Sequence, residues 1–457
     1  MKTASLPAAL AAVVFGALYA ALFAGPPAAP AEIRTIVADR VNAEYASLFD
    51  FYKNLHAHPE LSFMEVKTAA MVANELRTLG FNVTEKVGRT GVVGVLPNGS
   101  GPTVLIRADM DALPIKENSG VAYASTDVVK DAQGKDQPAM HGCAHDTHIA
   151  GLIGTARLLA SLKDKWAGTL VLVAQPAEEI VAGARAMFVD GLYTRFPKPD
   201  FAIALHTASS LPAGVIGYAE GPFYASVNSL DVQVRGFGGH GSAPHTTKDP
   251  VVLASQIVVA LQTIVSRELK PGTPAVVTVG TIHGGLKRNI IPDDVKLELT
   301  LRAFDKKVME HLVASVRRIC EGTAKAAGVP DDRLPVVTLT AESANVTSND
   351  PALTRRLAGA FTHWFGRDRA VINEPVMGAE DFSEFSREGV PACMWRVGAT
   401  DPAKIAESLR TGVPVPSNHS ATFAPIPEPT LKACVTSMTA AVLELMGPKA
   451  EAPPKGH

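Results

Sequence analysis

"GTLVLVAQPAEE", residues 168–179, runs from an apolar stretch straight into two adjacent carboxylates. Leu170 to Ala174 are all apolar, and Pro176 closes the run, so the stretch reads as a buried strand that ends in a loop. Working outward, "PDFAIALH" (199–206) is a second such strand, ending on His206. "HIAGLIGTARLLASL" (148–162) is a helix between them and the segment before. "GVVGVLPNGSGPTVLIRADMD" (91–111) reads as two strands around an Asn98-Gly99 turn, with Asp109 and Asp111 at the far end. Two helices precede it: "YASLFDFYKNL" (45–55), and "EVKTAAMVANELRTLG" (65–80), which Gly80 stops. Strands with apolar interiors that alternate with helices give an α/β domain around a buried sheet.

From Ser226 the pattern changes. "SLDVQVRG" is a strand, "DPVVLASQIVVALQTIVSR" a long helix and "AVVTVGTIHGG" a strand. "VKLELTLRAF" alternates cleanly as a strand, "KKVMEHLVASVRRICEGTAKAAG" is a helix and "PVVTLTAES" a last strand. This β-α-β-β-α-β order is ferredoxin-like. The chain therefore divides into a leader at 1–31, a first α/β part at 32–225, an inserted domain at 226–342 and a second α/β part at 343–457. The long helix either covers the inserted sheet or offers a pairing surface.

Residues 1–31 carry a lysine, then an apolar run, then "APA" before Glu32, the pattern of a cleavable export signal. The expected location is exported, periplasmic or secreted; an uncleaved anchor over Leu6–Ala24 is the alternative. The net charge of -2, without a long basic run, gives no footprint for nucleic acid. Four cysteines are too few for a disulfide scaffold. Cys320, Cys393 and Cys434 read as buried apolar residues, with a Cys393–Cys434 bridge left open.

The fourth cysteine stands in "MHGCAHDTHIAG" (140–151), among three histidines and an aspartate. Imidazole and thiolate suit zinc and metals like it. Cys143 and His145 alone are half a site. Asp109, Asp111, Glu178, Glu179 and His206 all follow or end predicted strands, and open α/β sheets bind ligands outside the carboxyl ends of their strands. Those endings converge on one crevice. There, one of the adjacent glutamates binds metal and the other takes a proton from water.

Eight segments occur in order: "HPELSF", "RADMDALP", "HGCAHDTHIA", "QPAEE", "GGHGSAPH", "VVTVG", "NIIPD" and "MGAEDF". Together they resemble the dinuclear-metal amidohydrolases related to hippurate hydrolase, N-acyl-L-amino-acid amidohydrolases and auxin-conjugate hydrolases. The resemblance implies a zinc-peptidase-like α/β catalytic domain with a smaller lid domain, which agrees with the ferredoxin-like order above. It also implies two divalent ions, Zn2+ or Mn2+. Cys143, His145, Glu179, His206 and His419 are the implied ligands, the last in "SNHSATF". Glu178 is the implied base, and Asp111 a carboxylate that orients a ligand. The sequence departs from the family pattern at Ala144 and over "IVAGA" (180–184), where glycines are usual. It departs again at Ala204, and after Ser420, where a proline is usual. These departures reshape the pocket and leave the donor atoms in place.

The expected reaction is hydrolysis of the amide bond of N-acyl amino acids or related small amides with a free carboxylate. Glu178 takes the proton of the attacking water and passes it to the leaving amine. His240, on a glycine-rich turn of the lid, is the candidate partner for the developing oxyanion, with His245 as the alternative. Asn289 and Arg302 are candidate substrate-binding residues, Arg302 through paired hydrogen bonds to a carboxylate. Relatives often pair through the lid, so a homodimer in which the partner subunit's His240 completes the site is a further expectation. A dipeptidase or cell-wall peptide hydrolase would use the same metals; a non-catalytic peptide-binding relative is the rival of another class. His56, His58, His148 and Asp146 are read as hydrogen-bonding groups rather than ligands.

Overall fold

The computed structural model describes residues 31–448, so the expected export signal lies outside the described residues except for Ala31. The main sheet contains β1 (Asn82–Val87), β2 (Gly91–Asn98), β3 (Thr103–Asp109), β4 (Gly168–Gln175), β5 (Phe201–Pro212) and β6 (Ile216–Tyr218). A second sheet contains β7 (Ser226–Arg235), β8 (Ala275–Gly284), β9 (Asp294–Ala303) and β10 (Val336–Ala344). The chain then returns to the main sheet with β11 (Ala370–Ile372) and β12 (Ala392–Thr400).

The main sheet has eight strands in the order β1-β2-β4-β3-β5-β12-β6-β11. Its middle, β4-β3-β5-β12, is parallel throughout. Parallel strands are buried on both faces. That explains the unbroken apolar runs, such as Leu170 to Ala174, nearly all fully buried. On one face pack α1 (Ala31–Ala57), α2 (Val66–Thr78), α3 (His145–Ser161) and the C-terminal helix Pro427–Met446. The aromatic cluster Phe223, Phe382 and Phe385 belongs to the core of the other face.

The two strands read around Asn98-Gly99 form as β2 and β3. They do not pair with each other: β4 lies between them, antiparallel to β2 and parallel to β3. Gly99, at φ 88°, turns the chain, and β3 then passes beyond β4. A buried sheet lets a parallel neighbour displace the hairpin partner, which local sequence cannot show.

The second sheet has the order β8-β9-β7-β10, all antiparallel. Helices Pro250–Thr263 and Lys306–Ala326 cover one face, giving the ferredoxin-like insert. The alternation in β7 and β9 puts Leu230, Val232, Val234, Leu297, Leu299 and Leu301 in this core. Leu253, Ala254, Ile257 and Leu261 of the long apolar helix face the sheet, so that helix covers it. All four cysteines are buried and free, which removes the Cys393–Cys434 bridge.

Helix α1 is tied to the start of α3 by a buried ion cluster. His56 Nδ1 lies 2.6 Å from Asp146 Oδ2 and its Nε2 3.0 Å from Glu117 Oε1. Burial works against the imidazolium, but the two carboxylates overcome it and raise the pKa from 6.5 to about 10. A pKa raised on folding stabilises the fold fully below the unfolded value and is lost as pH climbs through the folded one. His56→Gln therefore removes about 3 kcal/mol at neutral pH, because two buried carboxylates lose their cation. Urea unfolding from neutral pH to about pH 10 checks this, and the gap to wild type shrinks toward the alkaline end. A constant gap would refute the ion pairing.

Candidate metal centre

The parallel strands all deliver their carboxyl ends to one side, and the side chains found there come from distant parts of the sequence. Asp109 ends β3, Glu178 and Glu179 follow β4, and His206 lies within β5. Cys143 and His145 stand where the chain enters α3. His419 reaches the same place from the C-terminal part, its N–H donating to Gly142 O at 2.8 Å.

Two donor triads share Cys143. Cys143, His145 and His206 form one; Cys143, Glu179 and His419 form the other, and the donor atoms of each lie within 4.8 Å of one another. Cys143 Sγ is 3.4 Å from His206 Nε2, and His419 Nε2 is 3.4 Å from Glu179 Oε2. His145 Nε2 lies 3.8 Å from both Glu178 Oε2 and Glu179 Oε1. His145 Nε2 and Glu179 Oε1 are buried without any hydrogen-bond partner. Leaving such atoms unpaired costs about 1–3 kcal/mol each, more when charged. Thiolate, imidazole and carboxylate so arranged are the donor chemistry of a pair of divalent cations, and the orphaned atoms fit that use. The five residues and Glu178 are thus brought together.

Asp111 organises this cluster. Its Oδ1 and Oδ2 accept the backbone N–H groups of Glu178 and Glu179 at 3.1 and 3.0 Å. His145 Nδ1 is 2.8 Å from Asp111 O, which turns Nε2 toward the other donors. Ser62 donates to Asp111 Oδ2 at 2.6 Å, which gives "HPELSF" a place in the site. His148 is 2.5 Å from Asp109 Oδ1, and its Nε2 accepts the N–H of Thr207 at 2.8 Å; it is a positioning group, as expected. His58 is exposed beside Asp127, away from the cluster.

The sequence reading missed the layer below. Arg107 is fully buried inside β3, in bonds to Asp109, Glu380, Asp381 and Gln175. Its signal was visible: a guanidinium in the apolar strand "VLIRAD", and the Glu380-Asp381 pair of "MGAEDF". Burial first, then the carboxylates Glu380 and Glu179, hold the Glu178 carboxyl well above its usual range. Burial likewise lifts Glu179 to about 8, against the pull of His145. His145 is raised well above 6.5, because Asp109 and Asp111 outweigh its burial.

Two sequence departures acquire a backbone meaning. Ala144 has φ 63° and ψ 36°, and Val181 has φ 54°. Both are left-handed, where a non-glycine residue costs about 1–2 kcal/mol. At Gly183 a Cβ would meet Pro176 O at 1.5 Å, so that glycine is obligatory.

A cleft of about 810 Å³ separates the donor cluster from the open face of the second sheet. Arg302, Thr300 and Glu342 line it together with Glu178 and His419. Arg302 is part-buried and donates to Met377 O at 2.8 Å. His240 and Asn289 are not brought in. Both are exposed on or beside the two-stranded ribbon Gly239–His240/Ile290–Ile291, outside the cleft lining. That ribbon is a sheet of its own, apart from the four-stranded sheet that lines the cleft.

Residues 105–410 match the family model described as Peptidase family M20/M25/M40, which spans more than half the chain. The chain belongs to this family. This M20-family protein is 39% identical over 337 residues to thermostable carboxypeptidase 2 of Saccharolobus solfataricus, covering 73% of the chain and 81% of that relative. It is 37% identical over 333 residues to hippurate hydrolase of Campylobacter jejuni, covering 72% and 82%. The Bacillus subtilis YXEP protein, described as a dinuclear metal binding peptidase from the M20 family, superposes with TM-score 0.69 at 27% identity, covering 89% of this chain and 99% of that one. The fold expected from sequence and the family resemblance are both borne out, and the chain is a hydrolytic enzyme.

Metal uptake must displace the protons that the raised groups hold, so binding releases protons and tightens as pH rises. The rise is expected across the titration of Glu179 near 8. Calorimetric titration of the metal-free protein, in buffers of different ionisation enthalpy, measures the release. Binding without proton release would contradict the assignment of these groups as donors.

Proposed function

We propose that this enzyme hydrolyses the amide bond of N-acyl amino acids, with two divalent ions held by Cys143, His145, Glu179, His206 and His419. The two donor triads that meet at Cys143 carry the reading. Its support from outside the chain is the dinuclear relative and the relatives named for hippurate and for N-acetylcysteine. When bound, the ions polarise the scissile carbonyl and acidify the attacking water. The thiolate of Cys143 favours zinc, while the carboxylate donor also admits manganese.

Glu178 is the base. Its carboxylate lies beside the donors, and the backbone around it is fixed by Asp111. Burial and the neighbouring carboxylates raise its pKa, so it holds a proton more readily than a free carboxylate and can take the proton of water and return it to the leaving amine. Arg302 lines the same cleft as the donors and suits the substrate's free carboxylate. Dipeptides fit the same donors and differ only in the pocket around them. The leader at 1–31 supports export of the enzyme.

Glu178→Gln is expected to keep its metals and lose turnover by at least about a hundredfold. Glu179→Gln should lose metal as well. Elemental analysis beside hydrolysis of N-benzoylglycine and N-acetylmethionine separates the two, and identical behaviour would refute the division of roles.

His240, outside the cleft of its own chain, reaches the oxyanion by lid closure or from the partner subunit. We favour a symmetric dimer in which the partner's His240 does so. Mixing Glu178→Ala and His240→Ala chains under subunit exchange then restores about a quarter of wild-type activity, since about half the dimers are mixed and each has one intact site. Activity that stays lost after proven exchange would leave His240 with its own chain.

A further inference from the structure

Val181 is the only β-branched residue among the described non-glycine residues with positive φ. At φ 54° it occupies a conformation that side chains branched at Cβ strongly avoid. The loop around it is held from several directions. Val181 N–H donates to Glu178 O at 2.7 Å, closing a tight turn, and Gly183 N–H donates to Ala177 O at 3.0 Å. Carboxylates pin further N–H groups of the same loop: Glu65 takes Ala177, Asp111 takes Glu178 and Glu179, and Asp381 takes Ala184. The turn is therefore set by its surroundings, and position 181 must accept it whatever side chain it carries.

Strain kept where the surroundings over-determine the backbone points to a use for the side chain. Val181 lines the cleft, two residues after Glu179. The same cleft is lined by apolar groups from other elements, Tyr224, Val227 and Val376. A glycine there would ease the turn and leave the wall recessed by an isopropyl group.

We propose that Val181 is a specificity-determining residue that limits the size of the apolar substrate group admitted beside the metal loop. The inference rests on the amide-hydrolase reading only for the kind of substrate. The wall, the turn and the side chain are properties of this chain. With valine in place, short substituents pack against the isopropyl group. With glycine, they lose that contact and bulky substituents gain room.

The test compares wild type with Val181→Gly and Val181→Ala. One probe series is N-acetyl-, N-butanoyl-, N-octanoyl- and N-benzoylalanine; the other is the N-acetyl derivatives of alanine, leucine and tryptophan. In at least one series, Val181→Gly should move the preference by about tenfold toward the larger members, the usual range for a few methylenes in an apolar pocket. Val181→Ala should fall between. Thermal melting of the metal-loaded proteins should show Val181→Gly more stable than Val181→Ala, since only glycine relieves the backbone. The same compounds are titrated calorimetrically into metal-loaded Glu178→Gln with and without Val181→Gly, which reads size selection without turnover. If nothing is hydrolysed but the binding preference shifts, the reaction reading falls and the role of Val181 stands. If neither kcat/KM nor affinity changes its size preference, or no compound binds, the proposal is overturned. It is also overturned if Val181→Gly melts below Val181→Ala.

Discussion

A single buried guanidinium holds the floor of the site together. Arg107 sits inside β3 and bonds to Asp109 at the end of its own strand, to Gln175 at the end of β4 and to Glu380 and Asp381 from the C-terminal part. Three carboxylates so close together, without solvent, would otherwise have to bind protons to coexist. The cation keeps Asp109 ionised against its burial, while burial still holds Glu380 and Asp381 raised, Asp381 to about 7. Asp109 then orients His148, and Asp381 accepts the N–H of Ala184 on the metal loop. Loop shape and histidine orientation both pass through that one ion cluster. Such a cluster is poor value for stability alone, since well-packed apolar residues often do as well. Its worth lies in fixing where the donors stand.

Much of this architecture was legible in the sequence because it is written in periodicity. β9 alternates along its whole length, and the order of elements from β7 to β10 gives the ferredoxin-like insert without any long-range information. The donors were legible for a related reason. A parallel sheet presents its strand ends together, so Glu178 and Glu179 after β4 could be grouped with His206, read as a strand end although β5 runs on to Pro212.

What the sequence hid is all non-local. β4 lies between β2 and β3, a choice made by long-range pairing that an Asn-Gly turn cannot report. Arg107 reads as an oddity until its partners, more than 270 positions away, are in place. The unusual Ala144 and Val181 were visible as departures from glycine, but that both are left-handed is a fact of the backbone. His240 was read as a lid residue that lid closure or a partner subunit must bring to the donors, and it stands on the ribbon Gly239–His240/Ile290–Ile291.

The shared strand pairing between β5 and β12 has a consequence for how the centre comes into being. These strands flank the insert, and their parallel register joins Ala202 to Ala392 and His206 to Arg396. A ribosome emits the first donors, Cys143 and His145, long before His419. Until His419 has emerged and its N–H has met Gly142 O, a nascent chain presents only part of the cage. Contacts this far apart in sequence form slowly, because closing the chain costs entropy before any bond rewards it. The complete donor set therefore exists only where the two halves of the domain have met, and a cation that binds this set but not the unfolded chain stabilises that joined state.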